Sequence, residues 1–115
     1  MKKEYRLKKN EEFQEVFKKG KSFANRQLVL YKCENQNQEH FRVGLSVSKK
    51  IGNAVVRNQI KRYLREAIRH MDPPLKGGYD YIVIARKPIR NMSSNDIQKS
   101  LHHVSKKAGA LDRRK

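Results

Sequence analysis

The sequence predicts an α+β fold, a two-layer α/β sandwich in which a sheet of roughly four strands packs against three helices in the order α-β-β-β-α-β-α. Three observations predict it. Residues 41–48 alternate, with Phe41, Val43, Leu45 and Val47 on one side and Arg42, Gly44, Ser46 and Ser48 on the other, the two-residue period of a strand. Residues 54–71 place Val56, Ile60, Tyr63, Leu64, Ala67 and Met71 on one side when wound at about 100° per residue, as in an amphipathic helix. Residues 79–86 contain the unbroken run Tyr81-Ile82-Val83-Ile84, the pattern of a central strand covered on both faces.

The remaining elements follow from shorter signals. Phe13, Val16 and Phe17 sit at helical spacing within Asn10–Lys19, with Asn10 as the expected N-cap and Gly20 as the stop. Residues 27–33 carry Leu28, Val29, Leu30 and Tyr31 and read as a strand. Residues 34–40 are polar and read as a hairpin loop leading to the strand at 41–48. Gly52-Asn53 separates that strand from the long helix, which is expected to stop before Asp72-Pro73-Pro74, because a residue preceding proline is pushed out of helical geometry. Residues 76–78 form a turn and Lys87-Pro88 ends the last strand. Ser93 or Ser94 caps a final helix with Ile97, Leu101 and Val104 as its apolar stripe. Residues 111–115 are expected to fray. At 115 residues the chain accommodates one modest core, so residues 1–115 are read as a single domain.

Charge narrows the partner. The chain has 28 Lys+Arg against 11 Asp+Glu, formally +17, far more than solubility requires and enough to repel itself. A polyanion is the natural counterpart. Membrane is disfavoured: no apolar stretch approaches the ~20 residues that span a bilayer, and the charged start has no apolar segment after it, unlike a secretion signal. The basic residues are spread along the chain, 13 in the first 50 and 15 beyond, as on a folded basic surface. The lone Cys33 excludes an internal disulfide and a cysteine cage for metal; it reads as a small apolar strand residue. The expected location is cytoplasmic.

The polar side of the helix at 54–71 concentrates this charge. Arg57, Asn58, Lys61, Arg62, Arg65 and Arg69 share it, with Glu66 at its margin as the only acid. Solvated helices usually mix signs to gain i,i+4 pairs, whereas Arg57, Lys61, Arg65 and Arg69 stack like charges at that spacing, costing a few tenths of a kcal/mol per pair. Arg57 in the first turn also opposes the helix dipole. A cost repeated this often indicates a binding face. Arginine suits bidentate contacts to phosphate, and Asn58 can read a base edge or sugar or hold hydrated metal. Lys49 and Lys50 precede the helix, where backbone N–H groups also attract anions. Phe13, Phe17 and Tyr31 are either core residues or, along an open groove, faces on which unpaired bases stack.

Other readings fare worse. A self-contained nuclease needs clustered carboxylates or a facing histidine pair, but Asp72, Asp80, Asp96 and Asp112 are scattered, His40 and His70 stand alone, and the adjacent His102 and His103 do not share a helix face. A helix-turn-helix DNA reader needs a helix shortly upstream, where this chain has a strand. Composition alone leaves a ribosomal or assembly protein open.

The run Arg42-Val43-Gly44-Leu45-Ser46-Val47-Ser48-Lys49-Lys50-Ile51-Gly52-Asn53-Ala54-Val55-Val56-Arg57-Asn58-Gln59-Ile60-Lys61-Arg62 resembles the signature of the bacterial ribonuclease P protein component. Arg6-Leu7-Lys8-Lys9, the Phe13/Phe17 pair, Asn25-Arg26 and Tyr81-Ile82-Val83-Ile84-Ala85-Arg86 extend the resemblance over essentially the whole chain. It implies a non-catalytic subunit of an endoribonuclease that removes the 5′ leader of precursor tRNA, the cleavage being done by a large RNA that needs Mg2+; no cofactor is expected on the protein itself. Arg57, Asn58, Lys61, Arg62 and Arg65, with Lys49 and Lys50, would face the catalytic RNA. Phe13, Phe17 and Tyr31 would receive the single-stranded leader. The resemblance also implies a left-handed strand–helix–strand crossover through residues 41–48, 54–71 and 79–86, against the general preference for right-handed ones. Gln59 departs from the family pattern, which usually has arginine or lysine there.

Overall fold

The computed structural model describes residues 2–112. Its helices are α1 (Asn10–Lys19), α2 (Ala54–His70) and α3 (Ser94–Lys107), and its strands β1 (Lys21–Ala24), β2 (Leu28–Glu34), β3 (Arg42–Ser46) and β4 (Tyr79–Ala85), in the predicted order. The strands form one sheet, β1-β2-β4-β3. Pairing is antiparallel in β1–β2 and β2–β4 and parallel in β3–β4. The continuous apolar run is therefore central, as its pattern requires.

One expectation is overturned. Residues 34–40 do not close a hairpin, because β4 lies between β2 and β3. The segment instead crosses the end of β4: Asn35 N–H donates to the Gly78 carbonyl (2.8 Å) and Gly78 N–H to the His40 carbonyl (3.4 Å). Gly77 permits the crossing, since a Cβ there would overlap the Glu39 carbonyl. β3 and β4 are then joined through α2, the parallel crossover that the resemblance implies.

Local chemistry sets the boundaries. Asn10 is the first helical residue of α1 and not its cap; the N-terminal N–H groups of Lys8 and Lys9 donate to Glu12 Oε1, both at 3.1 Å. A glutamate three residues into a helix satisfies such donors as a cap side chain would. Asn53 caps α2 by accepting from Val56 N–H, and Ser93 caps α3 by accepting from Asp96 N–H. β1 lies in a stretch the strand pattern did not place; a tight turn holds it to β2, with Asn25 Oδ1 accepting from Gln27 N–H (3.0 Å) and Leu28 N–H (2.8 Å). Leu111 and Asp112, expected to fray, are held: Leu111 is buried and bridges to Leu75, and Asp112 N–H donates to the Pro74 carbonyl at 2.7 Å; the rest of that expectation, at residues 113–115, lies outside the described residues.

The two faces of the sheet carry different cores. α2 and α3 cover one, where Ile60, Leu64, Leu101 and Val104 meet Leu28, Leu30, Tyr81 and Val83. α1 covers part of the other: Val16 and Leu7 pack on Ile82, flanked by Phe13, Tyr31, Cys33 and Ile84. Burial pushes the Cys33 thiol up from its ordinary range, in keeping with a packing role. No helix among the described residues is long and apolar enough to cross a membrane.

Candidate nucleic-acid interface

The register of the sheet defines what lies beside α1. Ala24, Val29, Ile84 and Ser46 pair successively across the four strands, and all four are only half-buried. They form an uncovered shelf of small and apolar side chains. The next row, Ser22–Tyr31–Ile82–Gly44, runs beneath α1. Phe13 rests on Gly44, where a Cβ would overlap its ring, so the glycine lets helix and sheet approach closely. Phe17 meets Tyr31 edge to face at 4.9 Å and remains 42% exposed. The three aromatics thus share one face but not one environment. Phe13 is half core, whereas Phe17 offers a ring to solvent.

A strap closes the β3 edge. Leu7 N–H donates to the Val43 carbonyl at 3.1 Å, and Arg6 pairs with Val43 as an isolated bridge. Tyr5 packs against His40 and Phe41, while His40 Nε2 lies 2.8 Å from the Glu4 carbonyl. Between strap and helix lies a cavity of about 150 Å3 lined by Arg6, Leu7, Phe13, Leu45, Lys61 and Arg65, among others. It joins the aromatic side and the basic helix at a single edge.

The basic face of α2 has two parts. Arg57, Lys61 and Arg65 are half-buried along the flank; Arg57 Nε is buried without a hydrogen-bond partner. Asn58, Arg62 and Arg69 are exposed, as are Lys49 and Lys50 on the turn after β3. Val55, 78% exposed, adds an apolar surface to the same side. Among the described residues, no ion pair involves a cation of α2. Gln59 Nε2 donates to the Tyr63 hydroxyl at 3.0 Å, and the Arg62 guanidinium lies 5.6 Å from the Tyr63 ring. The amide at position 59 is therefore engaged with a neighbour on its own helix.

A ribonuclease P family model matches residues 1–109. The chain belongs to the ribonuclease P protein family. The protein component of ribonuclease P from Oceanobacillus iheyensis is 60% identical over 111 residues, covering 96% of this chain and 92% of the relative. That of Geobacillus thermodenitrificans is 55% identical, covering 99% and 94%. Among solved structures, the Staphylococcus aureus RNase P protein superposes with a TM-score of 0.88 at 51% identity, covering 94% of this chain and 98% of that one. The Thermotoga maritima RNase P protein gives 0.81 at 30% identity, covering 89% and 96%.

In this ribonuclease P protein, Phe13 lines one cavity with Lys61 and Arg65, residues that the sequence assigned to separate surfaces. Phe17 and Tyr31 make a second cluster. Sequence reasoning did not select Arg6 or the shelf. Arg6 is one basic residue among many near the start, and the shelf exists only once β4 pairs with both β2 and β3. Uncompensated charge also has a measurable consequence. Sulfate is expected to bind the basic face of the folded chain and not the unfolded chain; at ten times its Kd it would stabilise by about 1.4 kcal/mol, or about 5 °C in Tm. Melting curves in sulfate and chloride at equal ionic strength test this, and identical midpoints would refute it.

Proposed function

We propose that this chain is the protein subunit of a bacterial ribonuclease P, in which the RNA cleaves and the protein holds RNA and substrate together at the 5′ end of precursor tRNA. The observation that carries it is the meeting of a basic helix face and an aromatic face at the β3 edge, within a chain matched by the family model over nearly its whole length. Arg57, Asn58, Lys61, Arg62 and Arg65, with Lys49 and Lys50, grip the phosphates of the catalytic RNA. Such contacts set affinity and salt dependence and carry little sequence information. Phe17 and Tyr31, with the shelf beside them, receive the single-stranded leader, and Phe13 forms the inner wall.

The cleavage chemistry and its Mg2+ are assigned to the RNA. Among the described residues, no group of three His, Cys, Asp or Glu is gathered as metal ligands would be. His102 and His103 also diverge, one lining the groove between α2 and α3 and the other lying 3.3 Å from Asn25 Nδ2. By extending the contact to the leader, the protein broadens the range of precursors bound and assists metal-ion use by the RNA.

Phe17→Ala tests the division of labour. Loss of one stacking face is worth about 1–3 kcal/mol per base, so binding of leader-bearing precursor should weaken by roughly five- to a hundredfold. Binding of mature tRNA should hold. Because Phe17 is exposed at 42%, the fold should persist; equal losses for the two RNAs would reject the assignment.

A further inference from the structure

α3 turns its apolar stripe inward, but a neighbouring strip of the helix faces another way. Asn95, Gln98, Lys99 and His102 follow the i, i+3, i+4, i+7 spacing of one helix flank. Together with the end of α2 they line an open groove of about 550 Å3, within the size range of ligand sites. Its opposite wall is His70 and Asp72, and Met71, buried, forms its apolar floor. Neither the aromatic cleft nor the phosphate-gripping face uses these α3 side chains.

The chemistry of the lining is selective. Two carboxamides each offer a donor and an acceptor side by side, the pairing that reads a base edge. Asp72 can accept from an exocyclic amine. Lys99 supplies positive charge, and Arg69 reaches the rim, its Nη2 3.4 Å from His70 Nε2. A simple anion site would use only the N–H donors of Asn95 and Gln98, leaving their acceptors idle, and the Asp72 carboxylate would oppose it. Arg69 is also the last cation of the α2 basic face, so an RNA lying along that face arrives at the groove without a break.

We propose that the α2–α3 groove is a base-reading pocket for one unpaired nucleotide of the catalytic RNA, with Asn95 and Gln98 as the reading side chains and Lys99 and Arg69 on its phosphate. The proposal rests on the reading of α2 as the RNA-facing helix. Single-stranded nucleotides splayed from structured RNA are recognised in this way.

The double variant Asn95→Ala/Gln98→Ala tests it. Both side chains are exposed, so the melting temperature should be unchanged and a folding defect is separable. Affinity for the catalytic RNA should fall roughly fivefold or more. Because the lost groups are neutral, the slope of log K against log salt should not change. Unchanged affinity, or a flattened slope, overturns the proposal. A loss that appears only for precursor tRNA binding to preassembled holoenzyme also overturns it, since the occupant would then be substrate. Failure of the underlying reading looks different: the wild-type chain itself would show no preference for the catalytic RNA.

Discussion

Replacing Arg42 with methionine is expected to destabilise the protein by roughly 2–3 kcal/mol, below the full cost of removing one partner from a buried ion pair, because Asp80 is buried while Arg42 is half-buried. Arg42 on β3 grips both oxygens of Asp80 on β4, from Nε at 2.9 Å and Nη2 at 2.8 Å. Its third nitrogen, Nη1, donates to Glu12 Oε2 at 2.7 Å. The hydrogen bonds it donates to Asp80 push the Arg42 guanidinium pKa further above its already high range. Without it, buried Asp80 would keep, among the described residues, only the Asn35 amide, at 3.1 Å, as a side-chain partner. Lysine is no substitute, because a point charge cannot reproduce a planar fork engaging two carboxylates. Equilibrium urea unfolding gives the answer directly, and a loss below about 1 kcal/mol would show that the cluster is not buried as described.

The same cluster ties stability to the site. Glu12 also accepts from the N–H groups of Lys8 and Lys9, just ahead of α1. Burial alone would raise its pKa, but these hydrogen bonds and Arg42 together hold it below the ordinary 4.5. Its stabilising effect is therefore present above pH 4.5 and is lost as acid protonates it. Glu12 fixes where α1 starts, and hence where Phe13 and Phe17 lie over the sheet. Arg42 thus supports the aromatic face proposed to receive the leader, without needing to touch RNA.

How much of this was legible in the sequence depends on the range of the interactions. Helix spans, the capping of α3 by Ser93 and the placement of the basic residues on one side of α2 follow from neighbours a few residues apart, and they stand as expected. The hairpin expected at 34–40 failed because adjacency in sequence suggested pairing, while β4 competed for both β2 and β3 with a more apolar surface. β1 escaped notice because Lys21-Ser22-Phe23-Ala24 is short and barely alternates; its turn at Asn25 was the usable signal. The α1 cap was misplaced by one residue because a glutamate three positions on can do the work of a cap side chain. At the site, residue types were readable but shared cavities were not. Phe13 and Lys61 are 48 positions apart, and only the β3 edge brings them together.

The double substitution Arg62→Ala/Arg65→Ala is expected to weaken binding of the catalytic RNA by on the order of a hundredfold or more, since each charge-assisted contact contributes roughly 1.5–3 kcal/mol. The two arginines are not equivalent. Arg62 is exposed and lies against Tyr63, whereas Arg65 is half-buried beside Phe13 and Lys61. If both release counterions, the slope of log K against log salt should flatten by about 1.4–1.8. Single variants separate the cases: Arg62→Ala should change affinity and slope alone, while Arg65→Ala should in addition perturb leader binding, because it opens the wall that Phe13 shares. Filter binding across a salt series, with leader-bearing precursor assayed in parallel, reads both effects. Unchanged RNA affinity in the double variant would remove α2 from the interface. Identical behaviour of the two single variants would instead show that the basic helix and the aromatic cleft work independently, despite meeting at one edge.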